Sequence, residues 1–518
     1  MGILTRKNRY YFLSFLKHDF KASITVFFVA LPLCLGVSLA SGVPVYCGLI
    51  AGIVGGIVIP LISKSTLSVS GPAAGLTAIC ATAIAQLGSI ELFFLAVALA
   101  GLLQVLLGIF RLGGFTHFIP SSVIRGLLAA IGIILISKQI PLLIGYNKPD
   151  FWRDELFNIV TLHHGFDQIS DLFDQVSPGA MIVATVSLVF LITWKKTMAR
   201  KIAFLPTSFL TVLVGSLVSF GLSYYVPTLG LNPEHFVSIP DNVLADISIP
   251  EIHHLFDSEI WSFGLIICLV ATLETLLSIE AIDKMDPYNR ITPQNRELVA
   301  QGTANLASGM LGGLPITSVI VRSSANAEAG ARTKLAAFFH GVWLLLTVLL
   351  ATAWVNQIPY SVLAVLLTRT GYNLAKPAMI LAAYRQGREQ FLPFIVTVGA
   401  ILVTDLLIGV LIGIAYAIYF LIKHTYRAGY TLQESTVGHT KHFRIELALN
   451  VSFLNKKRFR ELLDRMPAYA TVEIDATNSV YIDYDILEII QSFKPKARMR
   501  HIHVVTKAIP EVNVIELH

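Results

Sequence analysis

Two interruptions decide how this chain reads: Ser68-Val69-Ser70-Gly71-Pro72-Ala73-Ala74-Gly75-Leu76-Thr77, and Gly312-Gly313-Leu314-Pro315-Ile316-Thr317-Ser318-Val319-Ile320-Val321-Arg322-Ser323-Ser324. Each stands in the middle of a strongly apolar half of the sequence. Bilayer hydrocarbon tolerates irregular backbone only where protein encloses it or it lines a cavity. Paired interruptions in the two halves point to the central binding site of a transporter. A helix that restarts after each break presents free N–H groups and the positive end of its dipole, which suit an anion. The second break also carries Arg322. Together the two stretches predict an anion carrier.

Working outward, the composition places most of the chain in lipid. Its 518 residues are 54% hydrophobic and only 14% charged, where a soluble chain averages about 25% charged. The mean hydropathy is +0.68. Apolar runs of about 20 residues recur from Ile24 to Ile422. The first run continues directly into further spans, so it reads as a span and not as a cleaved signal. The net charge of +6 follows membrane topology, so no nucleic-acid partner is expected. Cys34, Cys47, Cys80 and Cys268 lie in or beside apolar segments without metal-ligand spacing, and read as small buried hydrophobes. No nucleophile–base pair, metal motif or phosphate loop stands out, so neither an enzyme nor a cofactor is expected.

Lysine and arginine set the span count, because they accumulate in cytoplasmic loops. The basic start (Arg6, Lys7, Arg9, Lys17, Lys21) is placed inside. Further basic points follow at Lys64, Arg111 and Arg125, Lys195 to Lys201, Lys284 to Arg296, Arg332 and Lys334, Lys376 to Arg388, and Lys423 with Arg427. The stretch from Val226 to Ile260 holds no Lys or Arg, and the loop from Tyr146 to Gln175 holds only Lys148 and Arg153. This alternation gives about fourteen segments with both termini cytoplasmic. Segments near Ala74 to Gln86 and Ser323 to Gly330 must be half-length. The expected organisation is a cytoplasmic N-terminus (1–18), then a transmembrane domain (19–430) with repeats at 19–225 and 256–427. Each repeat has its broken segment third, the pattern of an inverted repeat.

The tail, 437–518, changes character. His442 to Leu449 alternates like a strand, with Phe443, Ile445, Leu447 and Leu449 on one face. Phe453 to Met466 reads as an amphipathic helix, Ala470 to Ala476 as a strand, Ile486 to Phe493 as a helix, and His501 to Thr506 as a third strand. The result is a small cytoplasmic α/β domain near the lower size limit for a self-sufficient core.

Glu274 lies 13 residues past Trp261, roughly 20 Å along a helix, and so deep in the bilayer. A carboxylate there normally faces a cavity or a partner. Three roles compete: taking up a proton, helping to hold Na⁺, or pairing statically with Arg322. Ser278 is one turn on and could supply a second oxygen. Arg322 keeps its charge at any working pH. An arriving anion that took over Arg322 would favour protonation of Glu274, which would couple anion to proton. Pro32 is expected to kink or break the first segment. Leu33 and Val37 beside it are candidate apolar pocket walls, with ordinary core or lipid packing the competing reading. Lys138 reads as snorkelling and Asp405 as solvated. The pairs His163–His164 and His253–His254 receive no ligand role.

At this point the motifs carry a resemblance. Ala30-Leu-Pro-Leu-Cys-Leu-Gly36, Ser70-Gly-Pro-Ala-Ala-Gly75, Glu274-Thr-Leu-Leu-Ser278 and Val321-Arg-Ser-Ser-Ala-Asn326 through Gly330-Ala-Arg-Thr333 are together specific. The chain resembles the SulP anion transporters, relatives of the mammalian exchangers that include prestin and pendrin. The resemblance implies a polytopic α-helical membrane protein built as a seven-plus-seven inverted repeat. Core and gate domains would flank two half-helices that meet at the midplane. It also implies a shortened STAS-like tail and a homodimer. Carried over position by position, it puts the anion near Ser70, Gly71, Ala73, Ala74, Val321, Arg322 and Ser323. The coupling ion falls at Glu274, with Ser278 and Ser318. Many relatives have Ser where this chain has Val321. Sodium-coupled bicarbonate relatives carry Asp at the position of Glu274 and lack the arginine, so the Glu274–Arg322 combination looks more like the proton-coupled members. The regulatory Asp-Ser-Gly of related STAS modules appears as Asp483-Tyr484-Asp485, which does not support a phosphoserine switch.

The leading expectation is a secondary active transporter of sulfate or bicarbonate in the cell membrane, by proton symport. A sodium-coupled bicarbonate symporter and an anion exchanger are the alternatives within the class. An anion channel needs a continuous polar path, against which the apolar pocket walls argue. A nucleobase carrier of the same fold would use carboxylates to hold the base, where this chain has a lone arginine.

Overall fold

The structure, a computed structural model, describes residues 6–114, 120–145, 176–197, 206–240, 248–404, 406–427, 429–437 and 440–510. The loop 146–175 with its two histidines, Asp405, and Arg200 with Lys201 lie outside the described residues. Two compact units divide the chain: 1–385 with 397–410, and 386–396 with 411–518.

Among the described residues the first half contains seven α-helices: α1 (Arg6–Ser41), α2 (Val45–Ile62), α3 (Thr77–Leu87), α4 (Ile90–Ile109), α5 (Ser121–Ile144), α6 (Pro178–Thr197) and α7 (Thr207–Tyr225). The second half contains α8 (Ser258–Asp283), α9 (Gln294–Met310), α10 (Ile320–Glu328), α11 (Leu335–Leu350), α12 (Tyr360–Leu374), α13 (Arg388–Val403) and α14 (Leu406–Arg427), with two further short helices at Thr352–Val355 and Pro377–Arg385. Six of these helices are long and apolar enough to cross a bilayer. The third of each half is short because an extended triplet replaces its first turns: β1 (Ser70–Pro72) before α3 and β2 (Ile316–Ser318) before α10. Pro72 ends the first triplet and Pro315 precedes the second, and proline cannot continue a helix ladder. Pro32 does not break α1, which runs through it to Ser41. Neighbouring helices can satisfy the carbonyl that proline frees.

The packing obeys a twofold exchange of the halves. α2 packs on α11 as α9 packs on α4, and α1 on α11 as α8 on α4. α1 meets α10 as α8 meets α3, while α5–α12 maps onto itself. Glycine marks three of these crossings. A Cβ on Gly56 (α2) would stand 2.5 Å from Gly341 Cα (α11). One on Gly101 (α4) would stand 2.6 Å from the Gly302 carbonyl (α9), and one on Gly132 (α5) 2.5 Å from the Gly371 carbonyl (α12). Small residues let helix backbones approach this closely where lipid supplies no hydrophobic drive. α1–α4 with α8–α11 make the core domain. α5–α7 with α12 pack together in the gate domain, and α13 and α14 complete the count.

The tail is a four-stranded sheet in the order β3 (Tyr430–Val437), β4 (Thr440–Leu447), β6 (Thr471–Asp475), β8 (His503–Lys507), with β5 (Asn450–Val451) and β7 (Tyr481–Ile482) paired separately. β3–β4 is antiparallel; β4–β6 and β6–β8 are parallel. α15 (Lys456–Asp464) and α16 (Tyr484–Met499) help cover a core that includes Phe443, Ile445, Val472, Ile474, Phe459, Ile486 and Ile490. This is the small α/β unit expected for the tail, a largely parallel sheet with helices packed on it. Its sheet begins at Tyr430, ahead of the expected boundary at 437. β3 is an edge strand whose residues 431–436 are all exposed, so it shows no alternation. Leu449 lies past the end of β4 and is exposed, not part of the buried face.

Candidate functional site

β1 and β2 pair antiparallel, with Ser70 opposite Ser318, Gly71 opposite Thr317 and Pro72 opposite Ile316. The two half-helices therefore start from one point. Hydrogen bonds across the crossing fix it. Ser68 Oγ and Ser318 Oγ are 2.6 Å apart, and Val69 N donates to Ser323 Oγ at 2.9 Å. Val319 N donates to Val69 O at 3.1 Å, and Asn326 Nδ2 to Leu67 O at 2.9 Å. On the outer side of β2, Asn305 acts as a further strand: Ile316 N donates to its Oδ1 at 2.6 Å, and its Nδ2 donates to Ile316 O at 3.0 Å. Gln104 accepts from the same Nδ2 at 2.7 Å and donates to Thr272 at 3.2 Å. No side chain caps α3 or α10.

Arg322 is fully buried at the start of α10. Its Nη2 donates to Pro72 O at 3.4 Å, while Nε and Nη1 have no N or O hydrogen-bond partner among the described residues. The Cys34 thiol of α1 lies beside the guanidinium. Gly71 makes room for it, since a Cβ there would stand 2.0 Å from Nη1. Glu274 on α8 faces Gly75 in the same manner: a Cβ on Gly75 would stand 2.9 Å from Oε2. Oε2 is sealed from solvent and has no hydrogen-bond partner among the described residues. The two side chains, set against glycines four residues apart on one backbone, form no ion pair with each other. The static Arg322–Glu274 pair therefore does not describe this structure. An unpaired buried charge is costly, and an unsatisfied buried donor calls for a physical explanation.

Of the residues read from the sequence, Ser70, Gly71, Ala73, Arg322, Ser323, Ser318 and Ser278 are buried and Ala74 is half-buried. Val321 is 39% exposed, so its side chain does not join the buried group. Ser318 spends its hydroxyl on Ser68, and its N–H on Thr275 Oγ1 at 3.3 Å, not on Glu274. Leu33 and Val37 are buried on α1, on either side of Cys34. Lys138 is half-buried and lies near Cys80 of α3, which differs from a lysine snorkelling free of the protein. The sequence reading missed Gln104, Gln301 and Asn305. Their signal was present: Glu297, Gln301, Asn305 and Ser308 lie on one face of α9 at helical spacing, and Gln104 is the one polar residue in the middle of α4.

The sulfate permease family model matches residues 16–397. The chain belongs to this family. A putative sulfate transporter of Bacillus subtilis, YvdB, is 28% identical over 410 residues, 78% of this chain and 73% of the relative. The solved transmembrane domain of a cyanobacterial bicarbonate transporter, BicA, superposes with a TM-score of 0.64 at 22% identity, covering 78% of this chain and 97% of that one. SLC26A9 superposes over 95% of this chain and 84% of its own, with a TM-score of 0.73 at 17% identity. The family match makes this sulfate permease relative a membrane transporter of small inorganic anions.

The α8–α9 loop of this permease is held by charge. Burial pushes the Asp286 carboxyl up, but the hydrogen bond from Arg290, the Tyr288 N–H, the Arg290 charge and the Thr66 hydroxyl together hold it below the ordinary carboxylate range. Arg290 donates to both Asp286 oxygens, at 2.6 and 3.1 Å, and to Arg332 O at 2.9 Å. The loop is thereby tied to the α10–α11 connection.

Proposed function

We propose that the chain carries sulfate or bicarbonate by proton-coupled symport, with the anion held where α3 and α10 meet. The observation that carries this reading is Arg322: a permanent positive charge, fully buried, with Nε and Nη1 lacking a hydrogen-bond partner among the described residues. An anion at those nitrogens would also face the N-termini of both half-helices, where dipole and free N–H groups favour negative charge. Ser70, Gly71, Ala73, Ala74 and Ser323 would surround it, and Val321 would contribute backbone alone.

Glu274 carries the coupling in this reading. It lacks a cationic partner and sits by Gly75, on the backbone that Gly71 shares with Arg322. A bound anion consumes the Arg322 charge and leaves Glu274 the uncompensated group, so proton uptake there is favoured when the anion is present. Linkage makes the effect reciprocal: a protonated Glu274 favours anion binding. The loaded core domain would then move against the gate domain to expose the site on the other face. On this reading the chain lies in the cell membrane with both termini in the cytoplasm, as its basic loops support.

Uptake of radiolabelled sulfate and bicarbonate into proteoliposomes tests the reading. We expect accumulation driven by an inward proton gradient and lost in Glu274→Gln. Accumulation driven only by sodium would make Glu274 and Ser278 a cation site. Flux that never exceeds the anion's own electrochemical gradient would mark a channel.

A further inference from the structure

We infer that Glu297 and Gln301 on α9 set the donor direction of the Ser70 hydroxyl, and that protonation of Glu297 reverses it, so that a carboxylate remote from the anion switches anion affinity. The inference rests on the proposed anion site at Ser70.

Glu297, Gln301 and Ser70 are all buried. The Gln301 amide Nε2 has two hydrogens and spends both: one on Ser70 Oγ at 2.8 Å, one on Glu297 Oε1 at 3.3 Å. The other Glu297 oxygen accepts the Ser63 hydroxyl. Gln301 Oε1 has no partner among the described residues. Because Ser70 Oγ already accepts a hydrogen bond from the amide, its own hydrogen is free to point at an anion.

An ionised carboxylate only accepts, whereas a protonated one also donates. Ionised Glu297 therefore requires the NH₂ side of Gln301 to face it, which is the observed arrangement. Protonated Glu297 offers an O–H instead. Turning the amide over places Gln301 Oε1 between the Glu297 O–H and the Ser70 O–H, where it accepts from both. The Ser70 hydrogen is then spent inward and lost to the anion. The two arrangements have the same shape, and each leaves one amide atom orphaned. They differ in little but the proton on Glu297.

The charged groups around Glu297 are few. Asp283 at the end of α8 acts on it through space. Lys334 donates to Ser63 O at 3.1 Å, and Arg296 to Ile62 O at 2.8 Å. Lys64, next to Ser63, is exposed. α2 carries no charged residue, and α4 carries only Glu91, at its other end. None of the described cations forms an ion pair with Glu297, so its proton is not fixed by a counter-charge. Glu297 and Gln301 are positioning residues: they act on the anion through Ser70.

The test is anion KM and maximal rate for the full chain in proteoliposomes, with equal pH on both faces, at acid and at alkaline pH. Glu274 protonation lowers KM on acidification and Glu297 protonation opposes it, so we expect KM to fall more steeply with acidification in Glu297→Gln than in the native protein. Gln301→Leu and Ser70→Ala should each raise KM about tenfold, the loss of one hydrogen bond to a charged group, with maximal rate retained. Combining them should add nothing further. Unchanged pH dependence of KM in Glu297→Gln, or multiplying effects in the double variant, would overturn the inference. If Gln301→Leu does not assemble, the near-isosteric Glu297→Gln carries the test alone. Undiminished transport in Arg322→Ala would instead sink the anion site itself, so the two failures are distinguishable.

Discussion

The Arg322 guanidinium fills the space that a side chain at Gly71 would need: a Cβ there would lie 2.0 Å from Nη1. The extended triplet β1 thus does two things at once. It breaks the membrane helix, and at its centre it supplies a residue with no side chain, against which a buried cation can rest. Gly71→Ala should displace the guanidinium and abolish anion uptake while the protein still elutes as a folded species. Gly75→Ala meets only the end of the Glu274 carboxylate, at 2.9 Å, and should cost less. Equal uptake by Gly71→Ala and native protein would place Arg322 elsewhere.

Arg322→Lys keeps the charge but replaces a planar fork with a point charge on a flexible stem. We expect residual transport with KM raised at least tenfold, since contact with Nε and Nη1 is lost, and no transport in Arg322→Ala. Equal KM for Arg322→Lys and native protein would show that charge alone is used, without the fork.

The glycine crossings predict stability rather than transport. Gly101→Val and Gly302→Val each force a side chain into backbone less than 3 Å away, and overpacking of this kind costs about 1–3 kcal/mol. Thermal unfolding in detergent should fall for both. Gly221→Ala on α7, with nothing within 4 Å, should leave it unchanged. A common response of all three would remove the crossings as the cause.

Asp286 predicts a pH effect on folding. Its folded value is held below the ordinary one, so its stabilisation is fully present above the unfolded value of about 4 and is lost as pH falls through the folded value. Native protein should lose thermal stability across that acid window, and Asp286→Asn should start lower and lose less there. Parallel curves for the two would exclude the Asp286–Arg290 pair as the source.

Much of the fold was legible because a bilayer imposes simple rules. Length, apolar runs and the spacing of lysine and arginine gave the segments, and Gly-Pro and Pro at 71–72 and 315 gave the breaks. Arg322 and Glu274 stood out because charge in lipid is rare. Gln301 and Asn305 did not, because a polar stripe on α9 lowers its hydropathy without any single residue demanding explanation. The relation between Glu274 and Arg322 was not legible at all: one-dimensional spacing cannot say whether two opposite charges meet, and here they face two different glycines. β3 was missed because an edge strand exposed from 431 to 436 shows no apolar alternation there to betray it.

The paired crossings have a consequence for synthesis. Gly56 of α2 and Gly101 of α4 belong to the first half, while their partners Gly341 and Gly302 belong to the second, and β1 pairs with β2. While the ribosome is still making α8, the earlier helices hold open grooves and an unzipped strand inside the membrane. The core domain cannot close in instalments; it waits for the last of its helices, and until then the nascent chain depends on lipid or on its insertion machinery to cover what the second half will later occupy.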